Sequence, residues 1–400
     1  MTDIALHRPA APRASSPHAA QHGAPASAPP SPTTPASPTT PASPTEIQLQ
    51  LPPRAAEPDD DNLYVILPYF NYCSYKRRKE LLYQFVERIR DLPNVRIVIS
   101  EAILVSEPES HQAEQALAPI SGIWRHLRYT TNNAIWLKEN LINLGIQHLP
   151  SGWKYASWVD ADLIFLNRHW ANDTIRALRE KYDVLQMFFK CESLTAEGKV
   201  DTTERSFGYM HCESGREYNR AHRYGLWHPG YAWALTRAAY DQMRGLVEFG
   251  ILGSGDTHMA LSIIGKSQFS HPGNIHPVYK QKLVDFQERA KGLRLGYLPD
   301  IIRHCFHGNP QNRFYRDRWE ILTSYKYDPS DDIAKNDVGI IQLTRLGSRL
   351  ERPLRVYFAA RREDDGTFNK EADGSAASGS SARPGPNGPD LKTLLKNANL

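Results

Sequence analysis

The sequence predicts an α/β protein whose sheet has parallel stretches, and two observations carry the prediction. Short apolar runs of strand character alternate with longer stretches of helical periodicity. Turn-forming residues punctuate the alternation. Leu63–Leu67 reads as a buried strand ended by Pro68. Tyr75–Arg90 is a basic helical stretch with Leu81, Leu82, Phe85, Val86 and Ile89 on one stripe. Pro93-Asn94 turns the chain into a second strand, Val95–Ser100. A helix over about 133–144 is followed by Pro150-Ser151-Gly152 and the strand Tyr155–Val159. A helix over 172–181 leads to the apolar strand Val184–Phe189. Further on, Trp227–Leu235 reads as a strand with Thr236 as the N-cap of the next helix, and 257–264 as another helix. In such sheets ligands bind beyond the carboxyl ends of the strands, so the residues just after each strand matter most.

Composition sets the frame for this core. Of 29 prolines in 400 residues, 13 fall within the first 53. Residues 1–63 contain no Phe, Trp, Tyr or Cys, and PTTPAS occurs twice in tandem, Pro32–Ser37 and Pro38–Ser43. Such a segment buries too little apolar area to offset its ordering entropy, so residues 1–61 are expected to be a disordered arm. Near Asp364 the chain turns to GSAASGSSARPGPNGPD, and 365–400 is expected to be a disordered tail, with a short helix in LKTLLKNANL as the alternative. That leaves 62–364 as one folded domain, with a helical extension from about 325. No solenoid or blade repeat occurs in it.

The net charge of +4 does not read as a dedicated nucleic-acid binder, although a nucleic-acid partner stays open. The four cysteines, Cys73, Cys191, Cys212 and Cys305, form no CxxC pair, which excludes a zinc ribbon and a small disulfide scaffold. They are expected to be inert packing thiols. No apolar run approaches the roughly 20 residues of a membrane helix. The start MTDIALHRPA lacks the pattern of a signal peptide, so the expected location is cytoplasmic.

The most informative segment is Ala156–Leu166, where an apolar strand runs into Asp160-Ala161-Asp162. Two carboxylates one residue apart at a strand end can meet one hard cation such as Mn²⁺ or Mg²⁺, which in turn can bridge to a nucleotide diphosphate. Uncompensated burial of both would be costly, and a cation resolves that cost. The competing reading has one Asp capping a turn and the other solvated. Further along, Ile301–Gly308 (IIRHCFHG) carries His304 and His307, whose neutral imidazoles can complete a carboxylate shell. Arg313, Arg316 and Arg318 come next and can reach phosphate or simply face water.

WVDADLIFLNRHW, within Trp136–Trp170, resembles the DxD segment of GT-A glycosyltransferases of the family 2-like and galactosyltransferase type. The resemblance covers roughly residues 62–325. It implies a GT-A fold, a mixed and mostly parallel sheet flanked by helices, and a nucleotide-sugar donor bound through Mn²⁺ or Mg²⁺. On this resemblance Asp160 and Asp162 take the metal, with His304 or His307 as the late histidine ligand, and Asp160 also serves substrate binding. Leu67–Asn71 resembles the nucleotide loop, with Pro68 as a rigid rim and Asn71 bonding base or ribose, or being a plain turn residue. Glu101 stands where such enzymes place an acid near the base or ribose, and a strand-end carboxylate is the alternative. Lys138 matches a basic residue facing the diphosphate, against a plain surface lysine. Gly230 would let the backbone approach the donor sugar, or mark a bulge. Trp233 and Tyr231 suit a sugar platform or the core.

Gly253-Ser-Gly-Asp256 places an acid at a helix start, and inverting transfer needs a base for the acceptor hydroxyl. The family's acidic motif often has two acids, whereas here Thr257 and His258 come after Asp256. Asp256 is therefore base, acceptor-binding residue or N-cap. The expected activity is metal-dependent transfer of a sugar, a hexose by the resemblance, from a nucleotide-sugar to a saccharide or other hydroxyl acceptor. The alternatives are a metal-dependent hydrolase and a non-catalytic carbohydrate-binding or scaffold protein with a degenerate transferase domain.

Overall fold

The computed structural model describes residues 60–218, 225–365 and 391–398. The chain divides into two units, Met1–Pro53 and Arg54–Leu400, and every described residue belongs to the second. The expected arm therefore lies outside the described residues, apart from Asp60 and Asp61, which open the first strand.

The first half alternates strand and helix: β1 (Asp60–Phe70), α1 (Lys76–Ile89), β2 (Val95–Leu104), α2 (Glu109–Gln115), β3 (Arg125–Thr131), α3 (Lys138–Gln147) and β4 (Trp153–Val159). Then come β5 (Leu163–Phe165), α4 (Trp170–Glu180), β6 (Val184–Gln186), β7 (Lys190–Leu194), β8 (Val200–Arg205) and α5 (Phe207–Glu213). The remainder holds β9 (Ala232–Thr236), α6 (Arg237–Met243), α7 (Gly255–Ile263), α8 (Pro277–Ala290), β10 (Leu295–Tyr297) and β11 (Ile301–His304). The last elements are α9 (Trp319–Ser324), β12 (Ile333–Lys335), β13 (Ile341–Leu343), α10 (Glu351–Ala360) and α11 (Leu391–Asn397).

Seven strands form the central sheet in the order β10-β6-β9-β4-β1-β2-β3. β9 runs antiparallel to both its neighbours, and the other pairs are parallel. The α/β class with parallel stretches is thus what the alternation predicted, and the mixed, mostly parallel sheet flanked by helices is the architecture the resemblance implied. Its physical signature is β1, buried on both faces. Leu63, Val65 and Leu67 pack with the α1 stripe (Leu82, Phe85, Val86, Ile89) and with α4. Tyr64 and Ile66 pack on the other side with α3, α7, α8 and α10. A strand covered on both faces reads as an unbroken apolar run, which is what made it legible.

Several boundaries differ from expectation. β1 does not stop at Pro68 but continues beside β2 to Phe70. Proline lacks only an N–H, and the ladder to β4 has ended at Ile66. α3 begins at Lys138 rather than near 133 because the preceding residues bond elsewhere: Trp136 N–H donates to Ile251 O at 2.9 Å, and Asn133 Oδ1 accepts from Leu343 N at 3.0 Å. Thr236 caps α6, its hydroxyl accepting from Ala239 N at 3.2 Å. The stretch after 325 is not purely helical, since β12 and β13 form an antiparallel hairpin before α10. Of the expected tail, 366–390 lie outside the described residues, and in LKTLLKNANL the short helix that was the alternative forms as α11, with Leu391 buried and Leu394 and Leu395 against the core. Among the described residues no helix is long and apolar enough to cross a membrane.

A second sheet, β5-β11-β7-β8, stands beyond the end of β4. β11 pairs antiparallel with β5, setting His304 opposite Leu163, and Cys305 N–H donates to Asp162 O at 2.7 Å. This register carries the late histidines back to the acidic turn.

Candidate active site

β4 ends at Val159, and Asp160 N–H is fixed to Tyr231 O at 2.9 Å. From this anchored turn the two carboxylates diverge. Asp162 Oδ2 lies 2.8 Å from His307 Nε2 and 3.7 Å from His304 Nε2, and the two Nε2 atoms are 3.2 Å apart. One donor atom from each of Asp162, His304 and His307 falls within 4.8 Å of the others. Both histidines therefore join the group, where sequence left a choice between them. Asp162 Oδ1 is buried without a hydrogen-bond partner among the described residues. Two imidazoles and a carboxylate with one orphaned oxygen fit a divalent cation of the Mn²⁺ type. Burial would raise the Asp162 carboxyl, but His304 and His307 hold it well below its ordinary value.

Asp160 is not in this group, which corrects its expected role as a metal ligand beside Asp162. Its Oδ1 lies 2.7 Å from Lys138 Nζ, and the same ammonium donates to Asp256 Oδ2 at 2.9 Å. Lys138 is no surface residue, with 8% of its side chain exposed. Burial lowers its pKa, but Asp160, Asp256 and Glu139 together raise it above the ordinary value. Asp160 is raised in turn by burial, against the pull of Lys138. The lysine sits at the first turn of α3, and Asp256 at the first turn of α7. Two helix starts and one strand end thus converge on one point.

Glu139 completes this half of the site, and sequence reasoning passed it over. Burial, with Asp256 adding and Lys138 opposing, pushes its pKa up to about 8. Its carboxyl lies against Gly255 so closely that a Cβ there would overlap it. The glycine before Asp256 is what admits an acid from α3 into the space where a side chain at 255 would stand.

A wall from β8 and the chain before β9 faces this cluster. Gly230 faces inward: a Cβ there would come 3.0 Å from His228 Cε1 and 3.9 Å from Asp256 Oδ2. The His228 ring stacks on Tyr231 at 4.1 Å between centroids, and the Tyr231 hydroxyl donates to Glu204 at 3.2 Å. Gly230 N–H donates to His228 Nδ1 at 3.2 Å, which leaves the proton on Nε2, 3.6 Å from Glu204. Burial lowers the His228 pKa. Arg313, named from sequence only as a phosphate candidate, places Nη2 2.7 Å from His307 Nε2 and 3.1 Å from Nδ1.

Four expected ligand-binding residues are engaged elsewhere. Asn71 is buried and brackets a turn, donating to Tyr69 Oη (3.1 Å) and Tyr75 O (2.9 Å) and accepting from Tyr75 N (2.9 Å). Pro68 lies inside β1 rather than on a rim. Glu101 is neither exposed nor free. It accepts from Leu117 N (2.7 Å) and Arg128 Nε (2.8 Å) and lies 2.8 Å from His126 Nε2, tying β2 to β3. Trp233 is 0% exposed and donates to Pro229 O at 2.8 Å, so it is core and not a sugar platform.

No family model and no curated protein matches the chain. Among solved structures it is similar to the catalytic domain of Drosophila beta1,4galactosyltransferase 7 in complex with xylobiose, at 13% identity over 71% of this chain and 94% of that one, TM-score 0.31. It is similar to S. aureus TarS 1-349 in complex with UDP-GlcNAc at 13% identity, covering 62% of this chain and 59% of that one, TM-score 0.36. It is also similar to the mannosyltransferase PcManGT from Pyrobaculum calidifontis in complex with GDP-Man and Mn²⁺, at 13% identity over 66% of this chain and 61% of that one, TM-score 0.34. Likenesses this distant carry none of the functional reading, which stands on the residues described above.

Proposed function

We propose that the chain is a metal-dependent glycosyltransferase of the GT-A type, moving a sugar from a nucleotide-sugar donor to an acceptor hydroxyl with inversion. The observation that carries the reading is the division of the Asp160-Ala161-Asp162 turn. Asp162 goes to His304 and His307, while Asp160 goes through Lys138 to Asp256. A cation site and a proton-accepting site thereby stand on either side of one strand end.

Asp162, His304 and His307 would hold the cation. Bound there, Mn²⁺ or Mg²⁺ supplies a positive charge that stabilises the departing nucleoside diphosphate. The chain's own residues do the rest. Asp256, with 19% of its side chain exposed, takes the proton of the acceptor hydroxyl as that oxygen attacks the anomeric carbon. Lys138 orients this carboxylate through one oxygen and leaves the other for the proton. Attack from the side opposite the leaving diphosphate inverts the anomeric centre. Gly230 and the Tyr231–His228 stack form the wall on which the sugar would rest. The four free thiols accord with a reducing compartment, and the cytoplasm is the location we propose.

The test is a panel of nucleotide-sugars scored for Mn²⁺-dependent turnover, with Asp162→Asn and Asp256→Asn beside the natural chain. The proposal expects donor turnover that needs the cation, abolished by the first change and reduced by at least 100-fold by the second. Phosphatase activity without any acceptor would favour a hydrolase, and no nucleotide affinity at all a scaffold.

A further inference from the structure

Beyond α10 the chain runs as a strap, Arg361–Asp364, past the start of α1 to the segment after β11. Asp364 accepts from the backbone N–H groups of Lys76 (3.0 Å) and Arg77 (2.9 Å), closing the open end of α1. Arg362 N–H donates to Tyr75 Oη at 3.0 Å. Gly308, at φ +82°, makes room for the strap: a Cβ there would stand 2.8 Å from Arg362 O and 2.9 Å from Glu363 Cα. The strap is thus pressed against the residue next to His307.

Glu363 is the centre of this contact and is 0% exposed. Arg78 donates to it twice, Nε to Oε2 at 2.9 Å and Nη2 to Oε1 at 2.8 Å, and Arg361 Nε donates to Oε1 at 2.6 Å. Its Oε2 also stands 3.7 Å from His307 Nδ1, while the other ring nitrogen is 2.8 Å from Asp162. The imidazole lies between two carboxylates. Arg313, which can only donate, places Nη2 nearer Nε2 (2.7 Å) than Nδ1 (3.1 Å). With a cation taking up the Asp162 carboxylate, the buried anion facing Nδ1 favours the tautomer with its proton there, leaving the Nε2 lone pair for the cation. From Arg361 the network continues to Tyr357 Oη (3.1 Å), which Arg318 also reaches (3.3 Å). Arg318 in turn donates to Ser254 Oγ (2.7 Å), just before the Asp256 helix.

We propose that Glu363 is a positioning residue that fixes His307 with Nε2 toward the cation, so that the carboxyl-terminal strap is a working part of the site. This rests on the reading of Asp162, His304 and His307 as a cation site. The experiment is an electron paramagnetic resonance titration of Mn²⁺ on the full chain and on Glu363→Gln, His307→Ala and the double variant. Glu363→Gln should weaken Mn²⁺ binding by about 10–100-fold. In the His307→Ala background the same change should cost nothing further, an outcome that a general loss of packing would not give. Affinity within twofold of the natural chain for Glu363→Gln, or an equal loss in both backgrounds, overturns the inference alone. A natural chain that binds no Mn²⁺ overturns the cation reading and this inference with it. Should Glu363→Gln fail to fold, ¹⁵N spectra of the imidazoles in the natural chain loaded with diamagnetic Mg²⁺ decide. A proton on His307 Nδ1 supports the proposal, and one on Nε2 defeats it.

Discussion

Replacing Lys138 by methionine keeps most of the side-chain volume and deletes one buried ammonium. That ammonium lies 2.7 Å from Asp160 and 2.9 Å from Asp256. At an effective dielectric near 20, a single pair at about 4 Å is worth about 4 kcal/mol before desolvation. Desolvation removes part of this, so the net loss is that of a broken buried pair, about 3–5 kcal/mol. At about 2–4 °C per kcal/mol, Lys138→Met should lower the melting temperature at pH 7 by roughly 6–20 °C. The assay is thermal unfolding by circular dichroism from pH 5 to pH 8. The deficit should shrink as pH falls, because burial raises the Asp160 carboxyl and its protonated form needs no cation. Unchanged melting at pH 7, or a deficit independent of pH, would refute Lys138 as the counter-ion of this cluster.

The same geometry yields three further outcomes. Glu139, at about 8 against an ordinary 4.5, keeps its proton in the folded chain where the unfolded chain has lost it, so its contribution to stability falls as pH rises through that window. Glu139→Gln should therefore flatten the stability–pH curve between about 4.5 and 8, by on the order of 1 kcal/mol per pH unit, and parallel denaturant-derived curves would contradict this. Trp233→Ala should cost about 3–5 kcal/mol in urea unfolding, as a buried indole does, whereas loss of saccharide affinity at full stability would restore the platform role. A chain cut after Asp365 should keep its fold but lose about 2 kcal/mol with the buried Leu391 of α11, measured by the same unfolding; an unchanged midpoint would deny that packing.

Much of the sheet was legible because burial on both faces writes itself as apolar runs, as in Leu63–Leu67 and Tyr155–Val159. α1 was legible from its stripe, and α6 from the Thr236 cap. β3 was missed because its faces are mixed and partly exposed, so Arg125–Thr131 shows neither alternation nor an apolar run. The start of α3 was misplaced because Asn133 and Trp136 satisfy long-range partners that no local pattern announces. At the site, the Asp160-Ala161-Asp162 turn and the two histidines were visible as residue types, but their division was not. Lys138 takes Asp160, and its other partner lies 118 residues away. Asn71, Glu101 and Trp233 have side chains that serve ligand binding or packing equally well, and only burial with satisfied partners separates the two. Glu139 was signalled faintly by the glycine before Asp256. Glu363 carried no signal, since Arg78 is 285 residues distant and the run Arg361-Arg362-Glu363-Asp364 looks like a solvated end.

The central claim is that the chain binds a nucleoside diphosphate through a cation held by Asp162, His304 and His307. Calorimetric titration with nucleoside diphosphates, with and without Mn²⁺, on the natural chain and on Asp162→Asn tests it most directly. Affinity should be tightened at least tenfold by Mn²⁺ in the natural chain, an enhancement of about 1.4 kcal/mol or more that vanishes in the variant. Equal affinity with and without the cation, or an enhancement that survives Asp162→Asn, would contradict it.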